Sequence, residues 1–215
     1  MELFAHPFSS YCQKVLVALY EHALPFDYRL LSPEFPRHLA ELQSLWPIGK
    51  MPVLRDGDRV LAEASIIIEY LDRRAGNARL LPADPDRALR VRFLDRVFDN
   101  YVMTPMQAIV ADYIRQPAER DPVGVTRARA MLRSSYAWLD GELADRGWAC
   151  GDFSLADCAA APSLFYADWV EPIDPAHENL RSYRERLLAR PSFARAVDEA
   201  RPYRHFFPPG APDRD

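Results

Sequence analysis

The period of the hydrophobic pattern changes once along this chain, and that change constrains the fold more than any other feature. Up to about residue 76, strand-like runs alternate with helical ones; from about residue 86 only helical spacing remains. MELFA is a short strand candidate. In YCQKVLVALYEH, residues Cys12, Val15, Leu16 and Leu19 fall at i, i+3, i+4 and i+7, the apolar stripe of a helix. PFDYRLL returns to strand-like alternation, and PEFPRHLAELQSL carries a short helix. PVLRDGDRVLAE sets two apolar runs around Asp56-Gly57-Asp58, a hairpin signal. ASIIIEYLDRRAG then spaces Ile67, Tyr70 and Leu71 helically and stops at Gly76. The order is βαβ followed by ββα, and it predicts an open mixed sheet with helices on both faces.

Two domains follow from this: residues 1–76 around the sheet and residues 86–215 all-helical, joined by a Pro-containing linker at 77–85 within NARLLPADPD. In the second domain, RALRVRFLDRVFDNYVMTPMQAIVADYIR reads as one long amphipathic helix kinked at Pro105, with GVTRARAMLRSSYAWLDGEL as the next. FSLADCAAAPSLFYADWV opens with Ser154-x-x-Asp157, close to a capping box, with Phe153 placed as a hydrophobic staple to Cys158. Two more helices follow, and the tail PPGAPDRD is expected to be loosely ordered.

Composition removes several function classes. A net charge of -4 lacks the basic field that drives nucleic-acid or anionic-membrane binding. No apolar run is long enough to span a bilayer, and the N-terminus does not read as a secretion signal, so the expected location is cytoplasmic. The 3 cysteines (Cys12, Cys150, Cys158) have no CxxC spacing, which fits a reducing compartment. The 5 histidines cluster neither with one another nor with the cysteines, and no metal is expected.

HPFSSYCQKV places Ser9, Ser10 and Cys12 between the first strand and helix. Cys12 belongs to the apolar stripe and reads as a core residue. Ser10-x-x-Gln13 reads as a capping box, which gives Ser10 a structural task. That leaves Ser9 outside the helix, its hydroxyl free to face a ligand.

Five stretches, SSYCQKV, GKMPVL, AEASIIIEYLD, LLPADP and FSLADCAAAPSL, together resemble the glutathione transferase family over nearly the whole chain. The resemblance implies a thioredoxin-like N-terminal domain, an all-helical C-terminal domain, and glutathione as co-substrate with no further cofactor. Ser9 matches the catalytic serine of the theta-like and zeta-like classes. Met51 would present its backbone to the cysteinyl part of glutathione before a cis Pro52, with Lys50 reaching the glycyl carboxylate. Glu63 would face the α-amino group at a helix N-terminus that holds the γ-glutamyl carboxylate. Ala64 departs from the pattern, which has a hydroxyl there; Ser65 comes one residue late. Ser10, Lys50, Met51, Pro52, Glu63, Ala64 and Ser65 are thus the residues expected around glutathione.

The resemblance further implies attack of the glutathione thiolate on a small, apolar electrophile, a detoxifying role, and a homodimer. Tyr101, Val102, Met106 and Tyr113, helically spaced on the long helix, are expected to line the second substrate's pocket, which Pro105 would help to shape. Two alternatives have other requirements: a glutathione-dependent thiol oxidoreductase needs a reactive Cys12, and a non-catalytic binding or interaction module needs only the fold.

Overall fold

The computed structural model describes residues 1–77 and 79–215. The N-terminal unit contains β1 (Glu2–Ala5), α1 (Ser10–Glu21), β2 (Asp27–Leu30), α2 (Pro36–Leu45), β3 (Val53–Asp56), β4 (Arg59–Ala62) and α3 (Ala64–Arg74). The sheet order is β2-β1-β3-β4, with β1 parallel to β2 and antiparallel to β3. Register places Leu3 opposite Leu54 and Phe4 opposite Val53. Because side chains alternate across a strand, Leu3, Ala5 and Leu54 meet α1 and α3 on one face, while Phe4 and Val53 meet Leu42 of α2 on the other. The hairpin turns at Gly57, whose φ of 60° suits glycine, and α3 is stopped by Gly76 at φ 73°.

The helical unit runs through α4 (Pro85–Val97), α5 (Thr104–Tyr113), α6 (Pro122–Glu142), α7 (Leu155–Val170), α8 (Glu178–Ala189) and α9 (Pro191–Ala200). The single kinked helix expected over residues 86–115 is instead interrupted by a π-helical turn, Phe98–Met103, just before Pro105. Proline lacks the N–H that would bond the carbonyl four residues back, at Tyr101. That carbonyl accepts from Ser135 Oγ at 2.9 Å, and Asp99 O accepts from Thr104 Oγ1 at 2.9 Å. The proline's effect is therefore a widened turn upstream, with its freed carbonyl satisfied from α6.

α1 and α7 form the centre. α1 is buried from Cys12 to Leu19 because the sheet covers one side and α7 and α9 the other. The linker is held too: the buried Asp72 carboxylate accepts from the N–H groups of Arg79, Leu80 and Leu81, and Leu80 O accepts from Leu155 N at the start of α7. At that same start the Asp157 carboxylate accepts from Ser154 N (2.8 Å), Ser154 Oγ (2.9 Å), Ala149 N (2.9 Å) and Tyr183 Oη (2.7 Å). The tail is not loose. Phe207 is buried against Tyr166 and Trp169, and Asp215 pairs with Arg201 and Arg204 while Arg214 reaches Asp168. Among the described residues no helix is long and apolar enough to cross a membrane.

Candidate functional site

Ser9 ends the β1–α1 loop and is itself the N-cap of α1: its backbone is extended (φ -88°, ψ 124°) and its carbonyl accepts the first helical bond, from Gln13 N at 2.8 Å. The expected Ser10–Gln13 capping box does not form. Ser10 is the first helical residue and is buried, and Gln13 Nε2 is drawn instead to Pro7 O (3.0 Å) and Tyr166 Oη (3.1 Å). Tyr166 Oη also donates to Phe8 O (3.2 Å), so α7 grips the loop that presents Ser9. Cys12 is completely buried; burial pushes its thiol up to about 11, a rise that bonds from Ser9 and the His6 backbone oppose only in part.

Two corners of main chain lie beside Ser9. Met51–Pro52 is a cis peptide that leads into β3, with Met51 exposed and Pro52 buried. Glu63, the N-cap of α3, has φ 69° and ψ 116°, a sparsely populated conformation for a residue with a side chain. The chain turns there into α3, whose first residues Ala64, Ser65 and Ile66 border the cleft between the two units. That cleft, about 860 Å³, is bordered by Ser9, Lys50, Met51, Pro52, Glu63, Ala64 and Ser65 together. Ser10 is not among its walls.

The remaining sequence candidates are not brought there. Val102 and Met106 are buried in the core, and Tyr101 and Tyr113 stand half out to solvent away from the cleft. Apolar residues on an amphipathic helix face the core, and here the cleft receives the opposite face. From the helical unit come Arg92, Asp95, Arg96, Asp99, Asn100 and Gln107.

Beneath the cleft lies a charged cluster that motif reading missed. Lys14, only 1% exposed, reaches Asp95 Oδ1 (2.5 Å), Asp99 Oδ2 (2.8 Å) and Ser65 Oγ (2.9 Å). Ser65 Oγ donates to Asp95 Oδ2 (2.8 Å) and accepts from Arg96 Nη2 (2.5 Å), so its hydroxyl is spent within the protein. Burial raises the Asp99 carboxyl above the ordinary range, against the pull of Lys14. Tyr11, on the rim, is pushed up to about 12 by burial and then by Asp99. The available signal was Asp95 and Asp99 at i, i+4 on one helix and a lysine inside an otherwise apolar one.

Residues 3–79 match the family model described as the N-terminal domain of glutathione S-transferase, and residues 122–186 the one described as its C-terminal domain. The chain is 29% identical over 194 residues to glutathione S-transferase GstB of Escherichia coli K12, covering 88% of this chain and 93% of that protein. It is 27% identical over 203 residues to a stringent starvation protein A homolog of Coxiella burnetii, covering 93% and 92%. A solved glutathione S-transferase from Methylobacillus flagellatus with glutathione bound superposes at a TM-score of 0.82, with 27% identity over 91% of this chain and 98% of that one.

Proposed function

Because the chain belongs to the glutathione S-transferase family, we propose that it is a glutathione transferase that binds the tripeptide in the cleft and uses the Ser9 hydroxyl to stabilise its thiolate for attack on a small electrophile. One observation carries this reading: a single cavity gathers Ser9, the cis Met51–Pro52 corner and the N-terminus of α3. In that cavity the Met51 backbone meets the cysteinyl unit and the exposed Lys50 ammonium the glycyl carboxylate. The first turn of α3 meets the γ-glutamyl carboxylate, with Glu63 on its amine.

The chemistry asks little of Ser9. A cysteinyl thiol with a pKa near 8.5 is only a few per cent ionised at neutral pH, and lowering it by two units takes about 2.7 kcal/mol of preferential stabilisation. One hydroxyl plus the positive end of α1 is of that size. An ionised glutathione sulfur is a stronger hydrogen-bond acceptor than a neutral thiol, so a hydroxyl on the cleft wall at Ser9 favours the ionised form.

The oxidoreductase reading loses its support, since a nucleophilic thiol must ionise and be reached, and Cys12 does neither readily. A binding module without turnover has two observations in its favour. Ala64 offers no hydroxyl and Ser65 has spent its own, and one relative of nearly full length is named for stringent starvation rather than for a transferase. Thiolate difference absorbance of glutathione with the wild-type protein decides between them. Ionised thiol near neutral pH is expected; glutathione bound without it leaves the binding module.

The same reading extends to assembly and place. Phe93 and Trp138, 46% and 42% exposed, stack edge to face at 6.0 Å on the outer surface of α4 and α6, with Leu89 and Met131 also exposed on those helices. An apolar patch of this kind suits a two-fold homodimer. Sedimentation should give twice the chain mass, and Trp138→Glu should shift it to monomer; a wild-type monomer would remove the dimer. All three cysteines are free thiols, in keeping with a reducing cytoplasm and a detoxifying role.

A further inference from the structure

We propose that His6 is the positioning residue for Ser9: its imidazole accepts from the Phe8 main chain and so holds the loop that aims the Ser9 hydroxyl, and a proton on the ring releases that loop. The ionisation of bound glutathione is thereby coupled to a second titration. The inference rests on the transferase reading above and adds to it a residue that does not border the cleft.

Residues His6 to Ser9 join β1 to α1, and every main-chain polar group from His6 O to Ser9 N is bonded. Ser9 N donates to His6 O (3.0 Å), Pro7 O accepts from Gln13 Nε2 (3.0 Å), and Phe8 O accepts from Tyr166 Oη (3.2 Å). Phe8 N donates to His6 Nδ1 at 3.1 Å. That last bond is the turn that Asn and Asp side chains make with the backbone two residues on, built here with an imidazole. The ring is itself fixed from outside. Tyr203 meets it edge to face at 4.7 Å and Phe206 lies at 6.4 Å, both from the 3-10 helical segment Arg201–Phe206. Ser9 follows Phe8 directly, so the path of this turn sets where its hydroxyl stands on the cleft wall.

Of these bonds, the one to His6 alone is open to a proton in the range where imidazole titrates. An Nδ1 that accepts from an amide carries no hydrogen; once protonated, it turns a second N–H toward the Phe8 N–H and the bond is lost. The Phe8 amide is then left without an acceptor, and the turn ahead of Ser9 loosens. Burial lowers the His6 pKa from its ordinary value of about 6.5, which keeps the acceptor in place at neutral pH. The groups around the ring do not oppose this. Burial holds Cys12 as the neutral thiol, Tyr203 presents a ring edge, and His205 lies against Phe206. Arg204 is committed to Asp215, and Glu199 to Tyr20 and Arg195.

Titrating the thiolate absorbance of glutathione, saturating on the full chain, supplies the test. In the wild type the acid limb should steepen from one proton toward two as His6 takes up its own. His6→Leu removes the acceptor and should raise the pKa of bound glutathione by about one unit, a tenfold loss of thiolate below that pKa and the equivalent of one neutral hydrogen bond. His6→Asn puts Oδ1 where Nδ1 stood. It should keep the thiolate within about twofold of wild type at neutral pH while holding the limb at one proton throughout. An unmoved pKa in His6→Leu, a wild-type limb of one proton, or a steep limb that persists in His6→Asn overturns the proposal. If the leucine variant does not fold, the two limbs decide alone. The levels stay separate: with thiolate present in the wild type and these results wrong, only this inference fails, and with no thiolate both fail.

Discussion

The two walls of the cleft are made of different material. The N-terminal wall presents main chain at corners: the cis peptide before Pro52, the strained Glu63, the first turn of α3 and the cap of α1. The helical wall presents the ends of side chains. Main-chain groups stay where the chain path puts them, so that wall suits one ligand with fixed peptide and carboxylate groups. Side-chain ends are respecified one substitution at a time, so under the proposed function the other wall would select what that ligand is joined to. Lys14 stands between them, bound to Ser65 of the first wall and to Asp95 and Asp99 of the second.

Breaking that connection should have the largest effect. Lys14→Met keeps the stem but removes the cation from between two buried carboxylates, a change that costs about 3–5 kcal/mol for a buried pair. Urea unfolding measures it, and a loss below about 1 kcal/mol would mean that Arg96 alone serves the two aspartates. The sign of the pH dependence follows from Asp99. Burial holds its folded pKa above the unfolded value, so protonation favours the folded state, and this contribution is present below the unfolded pKa and lost as pH rises through the folded one. Without Lys14 that pKa rises further. The deficit of the variant should therefore shrink as pH falls through the raised pKa of Asp99.

Next in size is the loss of the sulfur's partner on the first wall. Ser9→Ala should raise the pKa of bound glutathione by up to about two units, at most about 2.7 kcal/mol, and slow turnover near neutral pH by up to about a hundredfold. The gap should close as pH rises through the pKa of the thiol in the variant. Titration of the thiolate absorbance measures both, and an unshifted pKa would leave the helix end as the whole cause.

Sharpening the first wall should help by less. Ala64→Ser restores the hydroxyl that the family pattern has at the start of α3, and a hydrogen bond to a charged group contributes about 1.5–3 kcal/mol. Calorimetric titration should find glutathione bound about tenfold more tightly. No gain would mean that the main-chain N–H groups already satisfy the carboxylate. Ser65 cannot substitute without leaving Asp95 and Arg96.

How far each wall could be read from the sequence follows from the same difference. GKMPVL and EASII are contiguous, so a corner and a helix start are spelled out locally, as is the Asp56-Gly57 hairpin. The cap slipped by one because Ser9 and Ser10 are both capping residues and the choice is made at a distance: Gln13 bonds Tyr166, 153 positions away. The helical wall failed for a more general reason. Helical periodicity finds apolar stripes, apolar stripes face the core, and so Val102 and Met106 were selected by the property that keeps them out of the cleft. The π-helical turn at Phe98–Met103 shifts the facing besides, and its cause, Pro105 with Ser135 of α6, is only half local. The order of the tail depends likewise on arginines meeting Asp168 and Asp215 in space.

The smallest expected effect tests where the second wall ends. Tyr101 and Tyr113 are each 49% exposed, and neither borders the cleft. The Tyr113 ring is covered by the Arg120 guanidinium at 5.5 Å, and its carbonyl accepts from Arg120 Nη2 at 3.2 Å, so its surroundings belong to the α5–α6 connection. Removing a half-exposed ring that touches no substrate should leave kcat/KM for any electrophile within about twofold and stability within about 0.5 kcal/mol. Tyr101→Ala and Tyr113→Ala should both behave this way. A tenfold loss in kcat/KM at unchanged glutathione affinity would instead mean that α5 moves toward Ser9 when the electrophile binds. The second wall would then contain the aromatic face as well as the polar side-chain ends.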